Sequence, residues 1–175
     1  MREAYSAAAR RPRDQHPFPV GREFAESLGY PREVLSTLPE ECVEAFTGVS
    51  NVSMFAEIPQ GARVLDLGCG AGLDSLIAAQ RTGPEGIVIG VDFSFPMLKR
   101  ARRGAGVVFC QADAEDLPLR DGSIDVALVN GIFNLNPTRD AIFRELGRVV
   151  RRGGVVYSAE LIAPQQPLSE ADWFA

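Results

Sequence analysis

Three glycines and a nearby carboxylate form the first group of residues in this sequence that suggests chemistry. They lie in the stretch RVLDLGCGAGLDS, where Gly68, Gly70 and Gly72 closely follow Asp66. Glycines at this density let the backbone turn tightly and approach a ligand with no Cβ atoms in the way. We therefore expect this loop to hold a ligand and Cys69 to be among the residues that contact it, with a side chain small enough to pack inside the loop.

Polar residues follow three further apolar runs, and each suits one part of a nucleoside. Asp92 stands 20 residues after Gly72, where a carboxylate can accept hydrogen bonds from both ribose hydroxyls. Asp113, in QADAEDLPL, can accept from an adenine amino group, and the backbone N–H of Ala114 can serve a ring nitrogen beside it. Asn130 ends the next apolar run and would direct a polar group into the same crevice.

Two kinds of nucleotide site are compatible with this loop. The dinucleotide fingerprint G-x-G-x-x-G would require a glycine at position 73, where this chain has Leu73. Asp66 would repel a pyrophosphate, whereas it could help to place the ammonium group of an amino acid. S-adenosylmethionine combines adenosine with such a group, so we predict it as cofactor, with S-adenosylhomocysteine as product. A nicotinamide-dependent oxidoreductase is the disfavoured alternative.

The elements that must position these residues alternate short apolar runs with amphipathic stretches from Arg63 onward. This alternation predicts an α/β fold, an open doubly wound sheet that is mostly parallel. Helices are expected at 73–81, from Ser94 to a stop at Gly104, and from an Asn136 N-cap to about position 150, with Gly153 and Gly154 ending the last one. The predicted strands are 63–67, 87–92, 107–111, 124–130 and 155–161.

The first third of the chain has a different pattern. Residues 1–20 are polar and rich in proline, and we expect an irregular arm there. Residues 21–58 have apolar positions at helical spacing, which Pro31 and Pro39 divide into short helices. The organisation predicted is therefore an arm (1–20), a helical cap (21–58), a cofactor-binding domain (59–163) and a tail or the start of a truncated C-terminal part (164–175).

Composition narrows the classes of function. The chain has 175 residues, a net charge of −5 and three cysteines, Cys42, Cys69 and Cys110. The acidic balance argues against nucleic-acid binding, and no apolar run is long enough to span a membrane. The cysteines are too few and too far apart for a disulfide framework or a zinc pattern, so we expect no metal site and a cytoplasmic location.

From about Gly61 to Glu160 the chain resembles class I S-adenosylmethionine-dependent methyltransferases. The motifs that carry the resemblance are VLDLGCGAG, VDFSFPML, ADAEDLPL, DGSIDVALVN and ELGRVVRRGG. The resemblance implies a Rossmann-like fold and methyl transfer to a small-molecule acceptor. It also implies that Asp66, Gly68 and Gly70 surround the methionine moiety, Asp92 the ribose, and Asp113 with Ala114 the adenine. An S-adenosylmethionine-binding module without transfer activity is the alternative.

A closer similarity is to the arsenite methyltransferase branch, through LGYPREVLSTLPEECVEAFTGVSN and VNGIFNLNPTRDAIFRELGRVVRRGG. Members of that branch bind As(III) through three cysteines, and this chain has Val49, Ser75 and Gly131 at the matching positions. Soft thiolates hold this soft ion, and none of the three replacements does so. The resemblance therefore supports the scaffold and counts against arsenite as acceptor, which leaves the acceptor unidentified.

Weaker candidates lie around the predicted crevice. Phe93, Phe95 and Phe133 could line the sulfonium site through cation–π contact, with core packing the favoured role for Phe95. We expect Cys42 to be a half-buried helix residue, with a lesser chance of reaching the site, and His16 to lie at the surface.

The complete methyltransferase sheet usually has seven strands, and five are readable here, so we expect the C-terminal strands to be missing. The fifth strand would then be an edge, and an exposed apolar edge invites pairing. We expect either a truncated product or an edge covered by the N-terminal arm or by another chain, as in a homo-oligomer.

Overall fold

All five predicted strands are present, and they form one parallel sheet. The computed structural model describes residues 16–101, 106–134 and 136–162. The strands are β1 (Arg63–Leu67), β2 (Ile87–Asp92), β3 (Val107–Gln111), β4 (Ile124–Asn130) and β5 (Val150–Ala159). Their order is β3-β2-β1-β4-β5, and every neighbouring pair is parallel. The predicted Rossmann-like, doubly wound α/β fold is confirmed.

Helices cover both faces of this sheet. Four short ones precede it: α1 (Arg22–Ser27), α2 (Arg32–Leu35), α3 (Glu40–Glu44) and α4 (Val52–Phe55). Pro31 and Pro39 are the N-cap residues of α2 and α3, so the prolines divide this region as predicted. Three helices connect the strands: α5 (Leu73–Thr82), α6 (Phe95–Leu98) and α7 (Arg139–Val149).

The core consists of two layers, one on each face of the sheet. On one face the four N-terminal helices and α5 pack together, with Tyr30, Val43 and Ile77 buried against the strands. On the other face α7 packs its Ile142 and Leu146 against the opposite side of β1 and β4. The N-terminal helical segment is thus part of the main core, and part of it lies beside the carboxyl ends of the strands.

The sequence predicts that Gly153 and Gly154 end the helix before the fifth strand, and the structure shows that they do not. α7 ends at Val149, and β5 begins at Val150 and continues through Gly153 and Gly154. The register between β4 and β5 shifts in this region, which marks a bulge. A Cβ on Gly154 would lie 2.8 Å from the Asp125 carbonyl oxygen, so glycine serves a close backbone approach there.

Two other predicted helix boundaries were also wrong. Thr138, not Asn136, is the N-cap residue of α7, because the Asn136 side chain accepts the Thr138 N–H (3.0 Å) in a turn just before the helix. α6 has Ser94 at its N-cap but ends at Leu98, well before the predicted stop at Gly104, a residue outside the described part of the chain.

Within the described residues, β5 pairs with β4 alone, and its Val155 and Val156 side chains are exposed. Residues 1–15 of the predicted arm and the predicted tail at 164–175 lie outside the described ranges. No helix in the described part of the chain is long and apolar enough to cross a bilayer.

Candidate functional site

A single cavity at the carboxyl ends of the strands brings the predicted site residues together. It lies where the strand order reverses between β1 and β4, which is where ligands bind in sheets of this kind. Every residue predicted from the sequence to contact a cofactor lines it: Asp66, Gly68, Cys69, Gly70, Asp92, Phe93, Asp113, Ala114 and Asn130.

Asp92 ends β2 with its carboxylate fixed by two backbone groups. One oxygen accepts the Gly70 N–H (2.8 Å) and the other accepts the Ser94 N–H (2.7 Å). Burial raises the pKa of this carboxyl, and the two N–H donors oppose the rise. A carboxylate has about four lone-pair sites, so two of them remain for a ligand after both N–H bonds are made. This geometry suits a pair of neighbouring hydroxyls.

Asp66 lies inside β1, deeper than Asp92. It is 2% exposed, and the Ser75 hydroxyl of α5 donates to its carboxylate (2.5 Å). Burial, reinforced by the nearby Asp74 carboxylate, raises the pKa of Asp66 well above the ordinary range. A cationic ligand group in the cavity would oppose this rise, because it favours the ionised carboxylate.

The glycine loop between β1 and α5 has little room for side chains. Gly68 has a φ of 76°, and a Cβ there would clash with the Ile132 side chain. Cys69 is buried in this loop, and desolvation followed by the charges of Asp66 and Asp92 raises the pKa of its thiol. Cys69 is therefore a protonated packing residue of the loop, as the sequence suggested.

The turn after β3 forms the other end of the cavity. Asp113 and Ala114 line it there, and the Asp113 carboxylate accepts the Glu115 N–H (3.3 Å). Glu115 in turn accepts hydrogen bonds from the side chains of Asn136 (3.0 Å) and Thr138, just before α7. The start of α7 thereby holds this turn in place beside the cavity.

Asn130 lines the cavity at the end of β4, but its side chain is fully engaged within the protein. Its carbonyl oxygen accepts the N–H groups of Val49 (2.9 Å) and Ser50 (3.1 Å). Its amide nitrogen donates to the Ser50 carbonyl (2.7 Å) and to Asp74 (2.9 Å). A primary amide has two donors and two acceptor sites, so these four bonds use its ordinary capacity.

Asp74 is a site residue that we did not predict. It is 6% exposed in the first turn of α5, and it accepts from Tyr30 (2.6 Å), Ser53 and Asn130. Burial and the Asp74 charge both raise the pKa of Tyr30, which keeps its hydroxyl protonated as a donor. The sequence signal was an acidic residue in the first turn of the helix after the glycine loop. Its partners come from distant parts of the chain, and spacing along the sequence does not reveal them.

The charge of the cavity is one-sided. Four carboxylates line it, those of Asp66, Asp74, Asp92 and Asp113, and among the described lining residues there is no lysine, arginine or histidine. Such a cavity favours a ligand with cationic groups and disfavours an anionic one.

The three positions that the arsenite branch gives to cysteines fall in two places. Val49 and Gly131 are in contact, since a Cβ on Gly131 would lie 2.9 Å from Val49 Cγ1. Ser75 is buried beneath the glycine loop, with its hydroxyl bonded to Asp66. Apolar packing and one hydroxyl thus take the places of three thiols.

Several weaker candidates lie elsewhere than expected. Phe133 is buried against Phe143 (centroids 4.4 Å apart) and is not among the residues that line the cavity. Phe95, expected in the core, is 53% exposed with Lys99 over its ring. Cys110, in β3, is partly buried.

Cys42 and His16 complete the set of candidates. Cys42 is fully buried rather than half-buried, and it does reach the cavity wall. His16 is partly exposed, stacks against Phe18 and is not among the residues that line the cavity.

Comparisons with known proteins give consistent matches. A family model described as "Methyltransferase domain" matches residues 58–172. The chain is 35% identical over 144 residues to an arsenite methyltransferase of Halobacterium salinarum, a match that covers 79% of this chain and 37% of that protein. It is 41% identical over 115 residues to a demethylmenaquinone methyltransferase of Roseiflexus castenholzii, covering 63% of this chain and 47% of that protein.

Among solved structures, an arsenic(III) S-adenosylmethionine methyltransferase from Chlamydomonas reinhardtii has a similar fold. The TM-score is 0.68 at 31% identity, and the match covers 74% of this chain and 48% of that chain. The chain thus spans about half the length, or less, of these relatives.

Proposed function

This chain belongs to the methyltransferase domain family, and on that premise we propose that it binds S-adenosylmethionine in the strand-end cavity and transfers its methyl group to a small molecule. The observation that carries the proposal is the acidic lining of the cavity, which has four carboxyl groups and no basic side chain among its described lining residues. S-adenosylmethionine has a sulfonium and an ammonium group against one carboxylate, so its net charge complements this lining.

The same charge argues against a dinucleotide. A pyrophosphate would normally sit at the N-terminus of the helix after the glycine loop, where backbone N–H groups face the anion. Here the side chain of Asp74 occupies the first turn of α5, and Asp66 lies nearby beneath the loop. The Asp74 carboxylate would repel a pyrophosphate, a pyrophosphate would disfavour ionisation of Asp66, and no cation among the described lining residues offsets either effect.

Each part of the cofactor has a partner of suitable chemistry. Asp92 would accept the ribose hydroxyls with the lone pairs that its two N–H bonds leave unused. Asp113 and the Ala114 N–H would meet the adenine at the end of β3. Asp66, with Gly68 and Gly70, would surround the methionine moiety, and the ammonium group would help to ionise the Asp66 carboxyl.

S-adenosylmethionine, when bound, would supply an activated methyl group, and an acceptor nucleophile would take it as the carbon–sulfur bond breaks with its electron pair staying on sulfur. The chain's contribution is to hold the two reactants at short distance and to exclude water. A general base is needed only where the acceptor must lose a proton. The lack of a histidine or lysine among the described lining residues is therefore compatible with the activity.

The acceptor is not arsenite in this proposal. Val49 packs on Gly131 and Ser75 bonds to Asp66, so none of the three positions offers a soft ligand. The curated relatives include both arsenite and demethylmenaquinone methyltransferases, which differ in acceptor while sharing this domain. We propose a small molecule without an anionic group, because the described lining residues have no basic group to pair with an anion.

Isothermal titration calorimetry tests the cofactor assignment. We expect S-adenosylhomocysteine to bind with a Kd in the micromolar range, on the order of −8 kcal/mol, and NAD to give no measurable heat. Binding of NAD in preference to S-adenosylhomocysteine would contradict the proposal.

Product analysis by mass spectrometry tests the acceptor. With S-adenosylmethionine, arsenite and a thiol reductant, we expect no methylated arsenic above the level of a control without protein. Rapid methylation of arsenite would show that other groups replace the missing cysteines.

A further inference from the structure

Asn130 has the position of a cofactor ligand but the contacts of a structural clamp. We propose that Asn130, acting with Asp74, is a positioning residue that fixes the wall segment, residues 46–50, against the β4 side of the cavity, and that it does not bind the cofactor. The inference rests on the proposed function only for the identity of the ligand. The clamp itself is a property of the chain alone.

The clamp joins parts of the chain that are about 80 residues apart. Asn130 Oδ1 accepts both the Val49 and the Ser50 N–H, while Nδ2 donates to the Ser50 carbonyl. A side-chain amide that bonds to backbone donors and a backbone acceptor in this way imitates a neighbouring β-strand. The wall segment has no strand partner of its own among the described residues, so these bonds replace one.

Asp74 holds the Asn130 side chain in place. Its Oδ2 accepts from Asn130 Nδ2 (2.9 Å), and its Oδ1 accepts from Tyr30 (2.6 Å) and from the Ser53 backbone and hydroxyl groups. Tyr30, Ser53 and Asp74 are all almost completely buried. Removing one partner would leave buried polar groups unsatisfied, which makes the arrangement of the network strongly determined.

The wall segment is well placed to shape the β4 side of the cavity. Phe46, Thr47 and Gly48 line the cavity, and Gly48 lies against Asn130 at the end of β4, whereas Asp92 and Asp113 follow β2 and β3. A Cβ on Gly48 would lie 2.5 Å from Asn130 Nδ2, so the segment is pressed closely onto the clamp. An acceptor approaching the methyl group from the β4 side would meet this segment.

The test compares hydrogen exchange of the wall segment with binding of S-adenosylhomocysteine in the same variants. In Asn130→Ala we expect the amides of Val49 and Ser50 to exchange about tenfold faster or more, because their acceptor is gone. The affinity for S-adenosylhomocysteine, measured by calorimetry, should stay within about threefold of the original value, since no ligand contact is removed.

Swapping the side chains of Asn130 and Asp74 should restore slow hydrogen exchange in the wall segment. A variant that only loosens the fold would not show this recovery. Asn130→Asp alone keeps an acceptor for the Val49 and Ser50 N–H groups but places a second carboxylate against Asp74. The repulsion should loosen the clamp and speed exchange, though by less than Asn130→Ala does. Combining Asn130→Asp with Asp74→Asn restores a donor facing an acceptor and keeps the net charge. We expect the double variant to recover most of the protection, and this comparison decides the matter even if Asn130→Ala fails to fold.

Asn134→Ala is the matched control. Asn134 lies in the same loop after β4, is exposed, and donates to the Leu161 carbonyl rather than to the wall segment. Its loss should leave the exchange of residues 46–50 unchanged.

Three results would overturn the proposal: exchange of Val49 and Ser50 that does not change in Asn130→Ala, failure of the double variant to recover protection, or a tenfold loss of S-adenosylhomocysteine affinity with exchange unaltered. The last would make Asn130 a cofactor ligand. If the unaltered protein binds no S-adenosylhomocysteine, the proposed function fails, and the exchange data still decide whether the clamp exists.

Discussion

Asp92 and Asn130 occupy equivalent places on two strands and do different work. Each is the last residue of a parallel strand, β2 or β4, and each lines the same cavity. Asp92 accepts two backbone N–H groups and keeps lone pairs for a ligand, whereas Asn130 spends all four of its bonds within the protein. A polar residue at a strand end therefore indicates where the cavity lies. Only its hydrogen-bond partners show whether it can bind a ligand or instead holds the wall segment in place.

The largest effect expected on this comparison comes from Asp92→Ala. It would remove the two charge-assisted hydrogen bonds that we propose to the ligand, and it leaves the Gly70 and Ser94 N–H groups without their acceptor. At about 1.5–3 kcal/mol for each bond to a charged group, we expect the affinity for S-adenosylhomocysteine to fall about 100-fold or more in calorimetry. Asp92→Asn, which keeps the shape, should lose less. An affinity within threefold of the original would remove the contrast with Asn130.

Asp66 provides a smaller effect that depends on pH. Burial raises its pKa, so the folded protein holds this proton to higher pH than the unfolded chain does. The contribution to stability is therefore full below the ordinary carboxyl pKa and is lost as the pH rises through the folded pKa. Without ligand, Asp66→Asn should make the protein less sensitive to rising pH in thermal unfolding.

Ligand binding should lower the pKa of the Asp66 carboxyl, which burial raises. An ammonium group beside Asp66 favours ionisation, so binding of S-adenosylhomocysteine near neutral pH should release up to about one proton. Calorimetry in buffers of different ionisation enthalpy measures this release, and Asp66→Asn should abolish it. We also expect the variant to bind about tenfold more weakly at high pH. Equal proton release in both proteins would show that the ammonium lies elsewhere.

The sequence predicted the strand ends proposed to bind the cofactor better than it predicted the wall segment. Local pattern is enough to predict the bounds of β1 to β4, because strand ends and loop glycines are encoded within a few residues. The same local pattern predicts that Asp66, Asp92 and Asp113 line the cavity. The clamp was missed because it joins Tyr30, Asp74 and Asn130 across long separations. The start of β5 was wrong for a related reason, since the glycines there serve a bulge against β4 rather than a helix end.

Gly131→Ala examines the packing that stands in place of the arsenite ligands. The residue has a φ of 83°, and a Cβ would lie 2.9 Å from Val49 Cγ1. We expect the free energy of unfolding in denaturant to fall by about 1–2 kcal/mol. Adding Val49→Ala should make the glycine substitution itself less costly by relieving the contact, while the backbone strain persists. No loss of stability in Gly131→Ala would mean that this wall has room for a side chain.

The smallest effect is expected outside the cavity, where Glu145 and Arg148 of α7 hold the chain between β3 and β4. Glu145 accepts from Arg148 and from the Leu117 N–H (2.8 Å), and its pKa falls to about 2, chiefly through the Arg148 hydrogen bond. Glu145→Gln should lower the free energy of unfolding at pH 7 by about 1 kcal/mol, discounted for solvent screening.

The effect of Glu145 should also have a defined pH range. Because its folded pKa is depressed, its contribution is present above the ordinary glutamate pKa and is lost as the pH falls toward the folded pKa of about 2. The difference between Glu145→Gln and the original protein should therefore shrink in acid, with affinity for S-adenosylhomocysteine unchanged at pH 7. A tenfold loss of that affinity would tie this region to the cavity.

The most direct test of the contrast between the two strand ends is a crystal structure with S-adenosylhomocysteine bound. We expect the ribose hydroxyls on the Asp92 carboxylate at hydrogen-bond distance, about 2.5–3 Å, while Asn130 keeps its bonds to Val49, Ser50 and Asp74. A ligand bonded to the Asn130 amide, or a ribose away from Asp92, would contradict the account.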